Sequence, residues 1–247
     1  YLAAVGLAWP DSMGDAGLTG GTVMAQELSR MERPSAEQYQ GKRKLMLVPL
    51  LYGPPTDAED GVAILTRYWD QVQSQILSLE SKLGGLQHVY HESLTEGGAQ
   101  GLSQLQSVDQ RSHGLVESKC QSGATLEATE DAETLLETLD LQRCLMMPLG
   151  SEKVVRTLQE WMTESNRTRY QKIGEQIDAT LGEGQVGLLF ISERHQVQFA
   201  QDIEVFYVAP PALADFQSWL QDWRVRQQKA AAQAADSPEE ASSEEPN

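Results

Sequence analysis

Three apolar segments of this chain end in residues that could do chemistry. LQHVYHES (86–93) closes on His91 and Glu92, and VGLLFISERHQVQF (186–199) surfaces at Glu193, Arg194 and His195. KLMLVPLLY (44–52) ends at Tyr52, followed by Gly53. Imidazole and carboxylate groups together either share a divalent metal or act as a base and the group that orients it. Parallel α/β sheets bind ligands where their strands end, at the carboxyl edge. If these three segments are neighbouring strands, two histidines and two carboxylates meet at one rim. The plainer alternative is a set of polar residues at solvated loop mouths, because sequence does not give strand order.

The elements that must position these residues are easier to read. Residues 44–52 are apolar throughout, as in a strand covered on both faces, and Pro49 points to an edge position or a bulge. Val62, Leu65, Tyr68, Trp69, Val72, Ile76, Leu79 and Leu83 recur at helical steps and stop at Gly84-Gly85. Weaker helices are expected over 102–108, 115–120 and 131–141. Residues 143–151 read as a short strand or a helix end. A long stripe from Val154 to Leu181 predicts a helix with a break near Ser165-Asn166, and residues 202–211 predict a last strand. Leu213, Phe216, Trp219, Leu220 and Trp223 then form a final amphipathic helix. Trp69 and Trp161 fall on apolar stripes and are expected in the core.

Strands separated by long helices predict an α/β fold, a mainly parallel Rossmann-like sheet covered by amphipathic helices. The expected organisation is an N-terminal extension over 1–35, a single α/β domain over 36–228 and a disordered acidic tail over 229–247. Met31 reads as a natural start, which would leave residues 1–30 as upstream sequence.

Nineteen Lys and Arg against 36 Asp and Glu give a net charge of −17 over 247 residues. The five acids of the tail, from Asp236 to Glu245, leave −12 on the remainder. Such a field repels phosphate backbones and anionic lipid, which argues against nucleic acid as a partner. No apolar run approaches the ~20 residues that span a bilayer, so a cytosolic protein without a membrane anchor is expected. Cys120 and Cys144 lack partners at ligand spacing and read as small buried hydrophobes. NRT at 166–168 matches a glycosylation acceptor by chance, since nothing else suggests secretion. His88 and His113 read as structural or exposed.

The block NRTRYQKIGEQIDATLGEGQVGLLFISERHQVQF, from Asn166 onward, resembles the C-terminal signature of the TraB/PrgY, TIKI and erythromycin-esterase-like superfamily of α/β proteins. The resemblance places an arginine on the helix (Arg167 or Arg169), a histidine after the strand (His195) and an acidic residue at the end of an early strand (Glu92). It implies a metal-dependent hydrolase or esterase. Glu92 and His195 would be the catalytic pair, His91, Glu92 and His195 the ligands of a divalent metal, and Arg167, Arg169 and Tyr52 the substrate contacts. In those families the first strand ends in Gly-x-x-His, whereas LLYGPP carries no histidine. The segment from Lys44 to Trp223 also resembles an uncharacterised prokaryotic α/β family. TEGGAQG (95–101) loosely resembles the loop with which release factors position water, which makes a translation role a distant third reading.

The missing first-strand histidine places a non-enzymatic binding or interaction role slightly ahead of a divergent hydrolase. The long amphipathic helices would then dock a protein partner or a second copy of the chain.

Overall fold

The computed structural model describes residues 41–53 and 58–236. The expected N-terminal extension and the last eleven residues of the expected tail lie outside them. Five strands form one all-parallel sheet: β1 (Arg43–Leu50), β2 (His88–His91), β3 (Thr125–Leu126), β4 (Val186–Ser192) and β5 (Ile203–Tyr207). Their spatial order is β3-β2-β4-β1-β5. Six helices are described: α1 (Glu59–Leu83), α2 (Gly98–Val108), α3 (Gln110–Gln121), α4 (Ala132–Leu145), α5 (Glu152–Thr180) and α6 (Pro211–Asp236).

Alternate residues of the central strands feed two cores. Met46, Val48, Leu188 and Phe190 pack with Leu65, Tyr68, Val72 and Ile76 of α1, Leu105 of α2, Val116 of α3 and Phe216 of α6. Leu45, Leu47, Leu189 and Ile191 face the other way, onto Ile173 and Ile177 of α5. Burying each of those isoleucines contributes about 1.5–3 kcal/mol. Because both strand faces are covered, β1 and β4 read as unbroken apolar runs rather than alternating ones.

Several expectations need correction. Pro49 does not mark an edge, since β1 lies between β4 and β5. The β5 pairing ends at Leu47–Tyr207, so the ladder on that side is already finished where the proline has no N–H to give. The Pro49 carbonyl accepts a hydrogen bond from the Tyr68 hydroxyl at 2.5 Å. Helix α5 has no break at Ser165-Asn166, because the Ser165 hydroxyl faces α4 and hydrogen-bonds Thr138 at 2.9 Å. Helix α6 continues to Asp236, into the stretch expected to begin the tail. Trp161 is 58 % exposed and Cys144 is exposed, so neither is a core residue. No helix among the described residues is long and apolar enough to cross a membrane.

Candidate functional site

The topology singles out one crevice. From β2 the chain moves outward to β3, and from β4 it moves the opposite way, past β1 to β5. The carboxyl ends of β2 and β4 are hydrogen-bonded neighbours, so a switch point lies between them. Glu92 follows β2 and Ser192 ends β4 at this place.

Glu92 is 3 % exposed. Its backbone N–H extends the ladder to the Phe190 carbonyl at 2.8 Å. One carboxylate oxygen, Oε1, accepts from Arg169 Nη2 at 2.8 Å. The other, Oε2, accepts from the Ser192 N–H at 2.5 Å and from the Ser192 hydroxyl. Arg169 comes from α5, four and eight residues before Ile173 and Ile177, and so shares their sheet-facing stripe. Its Nε donates to both oxygens of Glu130, at 2.9 and 2.8 Å, and its Nη2 donates to Glu130 as well.

Glu130 is the residue that sequence reasoning missed. It sits between β3 and α4, just before Asp131, whose Oδ1 caps α4 by accepting from the Thr134 N–H at 3.0 Å. The Ser93 N–H donates to Glu130 Oε1 at 3.0 Å. Ser93 adopts a left-handed φ of 75°, a conformation costing a serine roughly 1–2 kcal/mol, and here it sits where β2 ends and the chain turns. The N–H groups of Thr129 and Glu130 both donate to the Leu94 carbonyl at 2.9 Å. The loops after β2 and β3 are thus tied to each other as well as to α5.

Charge follows from this geometry. Burial alone would raise the Glu92 carboxyl, but Arg169 and the two Ser192 donors outweigh it and hold the group below the usual carboxylate range. Burial alone would lower Arg169, but Glu130 and Glu92 outweigh it and keep the guanidinium firmly charged. A buried carboxylate–guanidinium–carboxylate triad therefore carries one net negative charge, stabilised by backbone and hydroxyl donors.

The other expected site residues fall at different distances from this triad. Tyr52 shows 58 % of its surface to solvent, yet its hydroxyl end lies close enough to Glu92 to feel its charge. Burial of that end and the Glu92 charge push its pKa up, so it stays a neutral phenol. His195 lies in the turn after β4, where its N–H bonds the Ser192 carbonyl at 3.1 Å. Burial holds its pKa below the ordinary value, against a weaker pull upward from Glu92. Its Nδ1 accepts from the Val197 N–H at 3.3 Å, which puts the proton of the neutral ring on Nε2.

His91 points away from the rim. Its Nδ1 meets the Glu92 carbonyl at 2.5 Å and so carries the proton, leaving Nε2 to accept from the Ser112 hydroxyl at 3.0 Å. Arg167 is likewise off the rim, exposed and paired with Glu164 one turn earlier on α5. Glu193 accepts from Gln217 of α6 at 2.5 Å. His88 is held between Glu127 at 2.8 Å and Gln185 at 3.1 Å, as a structural histidine would be.

Among the described residues no three His, Cys, Asp or Glu side chains are placed to hold a metal ion. The expected ligand set of His91, Glu92 and His195 does not fit one, since both ring nitrogens of His91 and both carboxylate oxygens of Glu92 have protein partners. The glycines of TEGGAQG also have a packing reason. A Cβ on Gly97 would lie 2.8 Å from the Leu126 carbonyl oxygen, and one on Gly101 would lie 2.4 Å from that of Glu96. The loop opens α2 against β3.

No protein-family model matches the chain, and no curated protein or solved structure matches it.

Proposed function

We propose that this chain works by binding, as a non-enzymatic interaction protein, rather than by metal-dependent hydrolysis. One observation carries this reading: the groups that a hydrolase would need free are committed to internal donors. Glu92 has a donor on each oxygen, and the Nδ1 lone pair of His195 is taken by Val197. A general base must reach the proton it abstracts, and a metal ligand must turn a lone pair outward. What His195 has left to offer is its Nε2–H donor. Such a rim suits recognition of an acceptor group better than removal of a proton.

The divergent hydrolase remains the second reading, favoured by the convergence of Glu92, Ser192, Tyr52 and His195 at a switch point, where α/β enzymes place their sites. Metal content and ester hydrolysis of the purified chain, measured beside His195→Ala, separate the two. The binding reading predicts no stoichiometric divalent metal and no hydrolysis that the substitution abolishes. Bound metal lost in His195→Ala, together with lost esterase activity, would establish the hydrolase instead.

A further inference from the structure

We propose that His88 is a pH-sensitive clasp. Held as an imidazolium between Glu127 and Gln185, it ties the turn between α5 and β4 to the segment after β3, and it lets the turn go when it loses its second proton. The inference stands whether the rim binds or hydrolyses, since it concerns the opposite, amino end of the sheet.

The charge state follows from what faces each ring nitrogen. Nδ1 meets Glu127 Oε1 at 2.8 Å and Nε2 meets Gln185 Oε1 at 3.1 Å, so both neighbours are acceptors. The Gln185 amide is not free to present its NH2 group instead, because the same Oε1 accepts from the Gly182 N–H at 2.5 Å. An amide nitrogen in that place would set two donors against each other. A neutral ring carries one proton and satisfies one acceptor, whereas a doubly protonated ring satisfies both. The proton rests on the ring rather than on Glu127, since imidazole is the stronger base by about two pH units in water.

The surroundings suit a cation. The His88 and Glu127 side chains are only 15 % and 19 % exposed, so solvent screens their attraction less than at an open surface. The Tyr90 ring stacks on His88, with centroids 6.2 Å apart, and turns its hydroxyl to Thr180. Other charges at this end are engaged elsewhere: Arg43 with Asp178 and Asp202, and Lys42 with Glu204. Glu183 of the turn reaches toward Gly41. Lys44, which meets the carbonyls of Leu83 and Gly184 at 3.5 Å, opposes the ring's charge from the α1 side.

Losing the Nε2 proton leaves two lone pairs facing each other at 3.1 Å. The contact is relieved when the Gln185 amide turns over, which strips the Gly182 N–H of its acceptor, or when ring and amide part. Gly182 opens the turn that carries α5, with Arg169, into β4, with Ser192. The clasp therefore acts on two of the elements that hold the rim.

NMR of the histidine rings and backbone amides of the full chain, from about pH 5 to about pH 9, tests this beside Glu127→Gln and Gln185→Glu. In the wild type the Gly182 amide resonance should move with the same midpoint as the His88 ring. That midpoint should fall by about one pH unit in Glu127→Gln and rise in Gln185→Glu, as expected when a carboxylate at this distance is removed or added. A Gly182 amide that ignores the ring overturns the clasp, and this is read in the wild type, independent of how the variants fold. A midpoint unchanged in Glu127→Gln overturns it too. A midpoint at or below that of the wild type in Gln185→Glu would mean that Gln185 presents its nitrogen, and would overturn the assigned charge.

Discussion

Replacing Arg169 with methionine keeps the length and apolar body of the side chain and removes the cation that joins Glu92 to Glu130. The two carboxylates stay where they are, 3 % and 7 % exposed, with only N–H and hydroxyl donors to hold them. Removing one partner of a buried ion pair costs on the order of 3–5 kcal/mol, because the uncompensated charge stays buried. For a protein of this size each kcal/mol moves Tm by about 2–4 °C, so a drop of roughly 6–20 °C is expected. The pH dependence adds a second signature. In the wild type the Glu92 carboxyl sits below its ordinary value, so its contribution is fully present above that value and is lost as pH falls through the lower folded one. In Arg169→Met, burial acts with only Ser192 opposing it, the carboxyl pKa rises, and protonation relieves the variant as pH falls. The gap between the two proteins should therefore narrow on acidification. Urea unfolding at about pH 7.5 and about pH 5 reads both effects, with Arg167→Ala as a control expected to leave stability nearly unchanged because its ion pair is exposed. A loss under about 1 kcal/mol for Arg169→Met at the higher pH, or a gap that ignores pH, would refute the reasoning.

Two further outcomes follow from single contacts. Gly101→Ala should destabilise by about 1–3 kcal/mol in the same assay, since its Cβ would press on a backbone oxygen that cannot swing away; a neutral result would contradict the close approach of α2 to the loop before it. NMR titration of the histidine rings should give His195 a midpoint below 6.5, with the Nε2–H tautomer in the neutral form. A midpoint above 6.5 would mean that Glu92 dominates over burial.

Long-period features were legible in the sequence and short-range ones were not. Helix α1 announces itself because eight apolar residues repeat at helical spacing and end at Gly84, whose φ of 107° only glycine adopts easily. Strand β1 reads as a doubly buried run and β4 as a buried apolar one, and both are central and parallel. Two-residue β3 carries no period and was invisible, and Glu130 was lost with it. The choice between Arg167 and Arg169 was in principle decidable, since Arg169 keeps step with Ile173 and Ile177 on the buried stripe while Arg167 does not. The break expected in α5 came from treating Ser165 as a helix breaker. Its hydroxyl has a partner on α4, Thr138, that no local pattern reveals. The meeting of the ends of β2 and β4 depended on strand order, which hydrogen bonds between distant segments decide.

The central claim is that the carboxyl rim is closed by a Glu92–Arg169 lock that crosses from β2 to α5. A double-mutant cycle combining Glu92→Gln with Arg169→Met measures that link directly by urea unfolding. The account predicts a coupling energy above about 1.5 kcal/mol, toward the upper part of the range for residues in contact. Additive effects, with coupling below about 0.5 kcal/mol, would mean that the two groups do not hold each other and that Glu92 is free for other chemistry.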